Sequence, residues 1–317
     1  MIYSTFLTLC IALLWIRTHW NLGFNKLNGT IPEEICALKN LTTLHLNNNA
    51  LSGSVPSCLP QSITKLVSLD LSENHLSSTI LSDIGNSILG NANNLRQLQT
   101  LHLGNNDFTG SFHGAISYIE SLTEVNISHN NFEGPVIGGA SRNKTQNLPM
   151  PYYNPMKGLK LLDVSYNKFY GGFSNPNFLA RVPNIEKLIV DNNMFTGGIP
   201  SELWSLTSLQ YFSASHNMFV VVFHQYILKS ATRHQQATDL TTFNISHNGF
   251  FGSIPTVLGE LGLSLDILDL SDNDLTGTIP SELGQCTNLQ QLALNNNALS
   301  GTIPTELMEL SSLGKFF

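Results

Sequence analysis

Leucines alternating with polar residues, then an asparagine, then a second set of apolar positions: this pattern recurs along almost the whole chain. Leu268-Asp-Leu270-Ser-Asp-Asn273-Asp-Leu275-Thr-Gly277-Thr-Ile279-Pro280 is one copy. Leu292-Ala-Leu294-Asn-Asn-Asn297-Ala-Leu299-Ser-Gly301-Thr-Ile303-Pro304 is the next. The asparagine stands at Asn25, Asn49, Asn74, Asn106, Asn130, Asn167, Asn193, Asn217, Asn248, Asn273 and Asn297, at intervals of 24 to 37 residues. A period of that size marks a repeat architecture, in which no unit buries its apolar face alone.

Each slot predicts a local structure. The Leu-x-Leu alternation predicts a short strand with one face in the core and one in solvent. On this reading residues 20–25 lie in the first strand. The asparagine should turn inward as the chain leaves the strand, its amide pairing with backbone groups that the turn strands. Leu or Phe follows it by two positions, and Ile, Val or Phe by six, in all eleven copies. Gly follows by four in nine copies, suiting a bend with unusual torsions. Phe108, Phe132, Phe169, Phe195, Phe219 and Phe250 share one slot in consecutive repeats and should stack inside the coil.

The frame L-x-x-L-x-L-x-x-N-x-L-x-G-x-I-P resembles the plant-type leucine-rich repeat over residues 20–317. The resemblance implies an α/β-type repeat solenoid of about eleven repeats, a horseshoe or superhelix. Its concave side would be a parallel sheet and its convex side irregular or short-helical. It also implies a non-catalytic module resembling receptor ectodomains that bind a protein or peptide on the concave side. The alternative is a soluble inhibitor of secreted glycan hydrolases, similar to polygalacturonase inhibitors. The paired-cysteine caps of both groups are absent from this sequence.

Reading down the expected strands gives a polar, mildly acidic concave face. Its candidate ligand-binding residues are Asp70, His102, His129, Asp163, Tyr166, Asp191, Tyr211, His216, His247 and Asp269. Tyr166 and Tyr211 are the aromatic anchors among them. Many of the Ser and Asn residues between them are repeat consensus rather than specific contacts.

Three intervals carry insertions, near 86–94, 138–155 and 221–238, which should form surface loops. The second holds Tyr152 and Tyr153. Residues 1–19 form an apolar N-terminal segment, in which 6–16 fit either a signal or anchor core or a degenerate repeat. Neither end carries a cap. That predicts a fragment of a longer protein, or open ends covered by self-association or a partner. The expected setting is the cell surface, attached to the membrane or secreted, with the cytoplasm as the alternative.

Composition narrows the chemistry. The charged fraction is 12% and the net charge −7, so a basic footprint for nucleic acid is missing. No Walker loop, G-x-S-x-G or H-E-x-x-H occurs, and Asp107-Phe108-Thr109-Gly110 is a repeat turn rather than a kinase motif. No cofactor is implied, and any kinase would lie outside this chain. Cys286 replaces a core leucine, whereas Cys36 and Cys58 lie in successive repeats where a disulfide is open. His216 and His247 share a slot in adjacent repeats about 5 Å apart. That spacing permits a shared cation or coupled protonation, but without a clear third ligand no metal site is assigned. Sequons stand at Asn28, Asn40, Asn126, Asn143 and Asn244, a number that chance supplies in a chain this rich in Asn, Ser and Thr. The inward-turned asparagine is testable: Asn193→Leu should cost about 1–3 kcal/mol through unpaired backbone groups. An unchanged melting curve would refute that role.

Overall fold

A computed structural model of the chain describes residues 18–80, 95–111, 119–136, 156–172, 179–223, 239–260 and 264–317. The segment 1–17, the insertions near 86–94 and 138–155, Tyr152, Tyr153, the sequon at Asn143 and residues 224–238 of the third insertion lie outside the described residues. The chain divides into two compact units, Met1–Leu159 and Lys160–Phe317. Each is a stretch of leucine-rich-repeat solenoid.

In the first unit the strands His19–Asn21, Thr43–His45, Ser68–Asp70, Thr100–His102 and Glu124–Asn126 pair in parallel. In the second, Leu161–Asp163, Lys187–Ile189, Tyr211–Ser213, Thr242–Asn244, Ile267–Asp269, Gln291–Ala293 and Lys315–Phe316 do the same. The register aligns equivalent slots, so Leu44 pairs with Leu69 and Phe212 with Phe243. The central residue of most strands is fully buried, while its neighbours are mostly part-exposed, with Ser213, Thr242 and Ala293 buried as well. The first strand is shorter and earlier than the sequence suggests. Residues 22–25 already form the turn, because Phe24 has left the extended region at φ 56°.

The asparagines stitch neighbouring repeats together. Asn74 Nδ2 donates to the Leu46 carbonyl of the preceding repeat at 3.0 Å and to Leu71 and Ser72 of its own turn at 3.2 and 3.1 Å. Its Oδ1 accepts the Leu51 N–H at 3.0 Å. Asn193 repeats the arrangement on Val164, Val190, Asp191 and the Phe169 N–H. So do Asn49, Asn106, Asn130, Asn217, Asn248, Asn273 and Asn297 on their own preceding repeats. Asn25 donates to Leu22 and Gly23, and Asn167 to Val164 and Ser165. Buried backbone groups that the turn would otherwise strand are thereby paired.

Beneath the asparagines lie the phenylalanines. Phe108 and Phe132 stack with ring centres 6.3 Å apart in the first unit. Phe169, Phe195, Phe219 and Phe250 stack at 6.5, 6.3 and 5.9 Å in the second. Stacking of this kind packs the coil with aromatic surface at these six repeats, where the others carry leucine.

Past each asparagine the chain does not simply bend. It forms a second short strand that pairs in parallel with its neighbours, as in Lys168–Gly172, Met194–Gly197 and Met218–Phe219. Gly277 in this stretch has φ +81°, a torsion open to glycine without steric cost. The outer side then carries single turns. Pro32, Pro200, Pro280 and Pro304, in extended conformation, each introduce a five-residue 3-10 segment that buries one leucine or isoleucine. Proline fixes the φ at which these turns start.

The disulfide left open by sequence forms between Cys36 and Cys58, linking the outer turns of successive repeats across a separation of 22 residues. Closing a loop of that size removes enough unfolded-state entropy to stabilise by about 3 kcal/mol. A Cys36→Ala/Cys58→Ala chain should lose roughly that much in denaturant unfolding. Reductant should no longer change its midpoint.

Candidate functional site

The candidate binding residues lie on the solvent side of the long strands and in the turns that follow them. The candidate residues fall into both units. Asp70, His102 and His129 belong to the first, and Asp163, Tyr166, Asp191, Tyr211, His216, His247 and Asp269 to the second.

The aspartates are held rather than loose. Asp70 Oδ1 accepts the Ser72 N–H and hydroxyl at 3.0 and 2.6 Å. Asp163 does the same with Ser165, and Asp269 with Ser271. Asp191 accepts the Ser213 hydroxyl at 2.7 Å and the Ser215 N–H and hydroxyl at 2.6 and 2.9 Å. Asn126 and Asn244 make the same turn with Ser128 and Ser246. Those serines are the third residues of two sequons, so both motifs also serve the fold. The sequon residues Asn28, in the second strand set, and Asn40, just after an outer turn, are both exposed.

The histidines divide differently. His102 Nε2 lies 3.5 Å from Glu124 Oε2 on the adjoining strand. His216 and His247 stack face to face, ring centres 3.9 Å apart and planes 11° from parallel. That is closer than the roughly 4.8 Å between neighbouring strands. His247 Nε2 also lies 3.4 Å from Asp272 Oδ2. Among the described residues no group of three or more His, Cys, Asp or Glu is assembled as a metal site.

One feature of this rim escaped the sequence reading. The residue before every ladder asparagine is left-handed, with φ between 51° and 56°, at Phe24, Asn48, Glu73, Asn105, His129, Tyr166, Asn192, His216, His247, Asp272 and Asn296. The signal was present: Asn, Asp and His, which tolerate this torsion best, fill most of the slot. Tyr166 takes the conformation while 48% exposed. Asp272, which the torsion sets beside His247, was missed for the same reason.

Tyr211 sits half-buried on its strand. Burial, followed by the negative charge of Asp191, pushes its phenol above the ordinary range; the Ser213 hydrogen bond works against them and Asp163 adds to them. Lys160 is exposed and pairs with Glu186 at 2.9 Å, and the hydrogen bond and charge of that carboxylate raise the ammonium's pKa. Cys286 is buried, its thiol pushed up to about 11 by desolvation, which keeps it neutral and unreactive. No helix among the described residues is long and apolar enough to cross a membrane. Removing the Asp191 charge by Asp191→Asn should lower the Tyr211 titration toward its usual value without reaching it. Ultraviolet difference titration against the unaltered chain would read that shift, and an unmoved curve would break the assigned coupling.

The leucine-rich repeat family model matches residues 40–62, 65–87, 97–119, 184–206, 239–261, 264–286 and 288–310. Receptor-like protein 35 of Arabidopsis thaliana is 33% identical over 252 residues, covering 76% of this chain and 23% of the relative. The chain thus spans about a quarter of that relative's length. The crystal structure of a TDR receptor superposes with a TM-score of 0.82 at 29% identity, covering 99% of this chain and 49% of the other. The plant peptide hormone receptor RGFR1 in complex with RGF2 gives 0.69 at 27% identity, covering 93% and 46%. The chain belongs to the leucine-rich repeat family, and a plant receptor-like protein is among the proteins it is similar to.

Proposed function

We propose that this chain is the recognition module of a receptor-like protein displayed at the cell surface or secreted, and that it binds a peptide or protein without catalysis. The repeat module on this reading extends over residues 20–317, with the insertions near 86–94, 138–155 and 221–238 as loops. One observation carries the reading: the similarity, along nearly the whole chain, to repeat receptors that include a peptide-bound hormone receptor. The chemistry of the sheet face supports it. Tyr166 and Tyr211 offer amphipathic rings, the class of side chain that anchors protein interfaces. Asp70, Asp163, Asp191 and Asp269 offer carboxylates, and His102, His129, His216 and His247 offer ring nitrogens. A polar face of this kind suits a peptide backbone and its polar side chains better than a lipid.

The test is a displayed random-peptide selection against the purified chain, repeated with Tyr166→Asn/Tyr211→Thr. Those replacements copy Asn192 and Thr242, which hold the same slots in neighbouring repeats, so the fold should survive. Selected peptides should bind the variant at least about tenfold more weakly, equivalent to about 1.4 kcal/mol. Met218→Thr, on the second strand set, should leave binding unchanged. Peptides that bind both sheet-face forms equally would overturn the assignment to this face.

A further inference from the structure

We propose that His216 and His247 chelate a divalent transition-metal ion, copper ahead of zinc, at the rim of the sheet face. The inference is independent of the peptide reading. It rests on how two repeats are locked together. The strands carrying the pair are in register, Ser213 opposite Asn244. The His216 N–H donates to the Ser246 carbonyl at 3.0 Å, and the His247 N–H to the Ser271 carbonyl at 3.1 Å. Both residues share a φ of 51°, so both rings leave the backbone in the same direction. The outcome is the stack of parallel rings already described, exposed to solvent on its outer side.

The neighbour on the next repeat sets the chemistry. Asp272 Oδ2 lies 3.4 Å from His247 Nε2. A proton on Nε2 faces that carboxylate and leaves the ring's lone pair on Nδ1. A carboxylate behind a histidine in this way fixes the tautomer and raises its basicity as a ligand. The second imidazole lies one ring spacing away. Two nitrogens bound side by side at about 2.0–2.1 Å from one ion stand roughly 3 Å apart, so the exposed rings must swing out of the parallel stack, by about 45° each, to aim both in-plane lone pairs at a shared ion. Among the described residues no third protein ligand is assembled there, so these two imidazoles are the protein's contribution from that set and water completes the ion's shell. Imidazole nitrogens favour copper over zinc in the usual stability order. On the other flanks of the pair the same slot holds Asn192, whose neutral amide brings no competing charge.

The variants follow from the repeat itself. His216→Asn and His247→Asn install the residue that this left-handed slot already holds at Asn192 and Asn296. Cupric ion alone is titrated into the full chain by calorimetry and followed by electron paramagnetic resonance. The unaltered chain should show one tight site with a two-nitrogen coupling pattern. Each Asn variant should lose that site's affinity by more than about tenfold, with a melting curve like that of the parent. Asp272→Asn should weaken binding by about tenfold or more while keeping the two-nitrogen pattern. The proposal fails if the tightest copper site survives both histidine replacements, or if the parent shows a single coordinated nitrogen there.

Discussion

One amide per repeat carries the architecture. Each ladder asparagine offers two N–H hydrogens and one carbonyl oxygen to a turn whose backbone is buried, and most reach into the repeat before their own. Neither leucine, which cannot hydrogen-bond, nor aspartate, which cannot donate, could take that place. Stacking of leucines and phenylalanines supplies the driving force, since apolar burial has no direction of its own. The asparagine converts that force into a fixed offset between repeats. Because each repeat is tied chiefly to its neighbours, stability in such a chain accumulates by nearest-neighbour terms.

Much of this was legible in the sequence. Asn273 and Leu268, Leu270 and Leu275 around it stand where the frame puts them, with the leucines in the core. The phenylalanines stack because they share a slot that recurs at every turn. What sequence left open was pairing in space. Cys36 and Cys58 lie in successive repeats, but only the geometry of two outer turns brings their Cα atoms to 6.0 Å. The second strand set was missed because its residues, such as Asp274 to Gly277, alternate less clearly than Leu-x-Leu does. Pairing there follows from the stitched offset rather than from any hydrophobic pattern.

The sheet face shows the same limit more sharply. Its columns of residues were readable. Their partners were not. That Asp163 spends an oxygen on Ser165, or that His216 leans onto His247, depends on χ angles and on the left-handed torsion before each asparagine. The torsion itself could have been inferred from the Asn, Asp and His content of the slot. Tyr166 and Phe24 hold it against a steric cost of about 1–2 kcal/mol that glycine avoids.

The Asp-x-Ser turns have a consequence for how this face meets a partner. A carboxylate that accepts from its own serine backbone and hydroxyl has one rotamer, fixed before any ligand arrives. Three aspartates are held so, Asp70, Asp163 and Asp269, each clamped at one oxygen, and their conformational entropy was already lost during folding. A partner that docked against them would order little of the protein's own surface, so affinity there would come from preorganisation instead of from contact area.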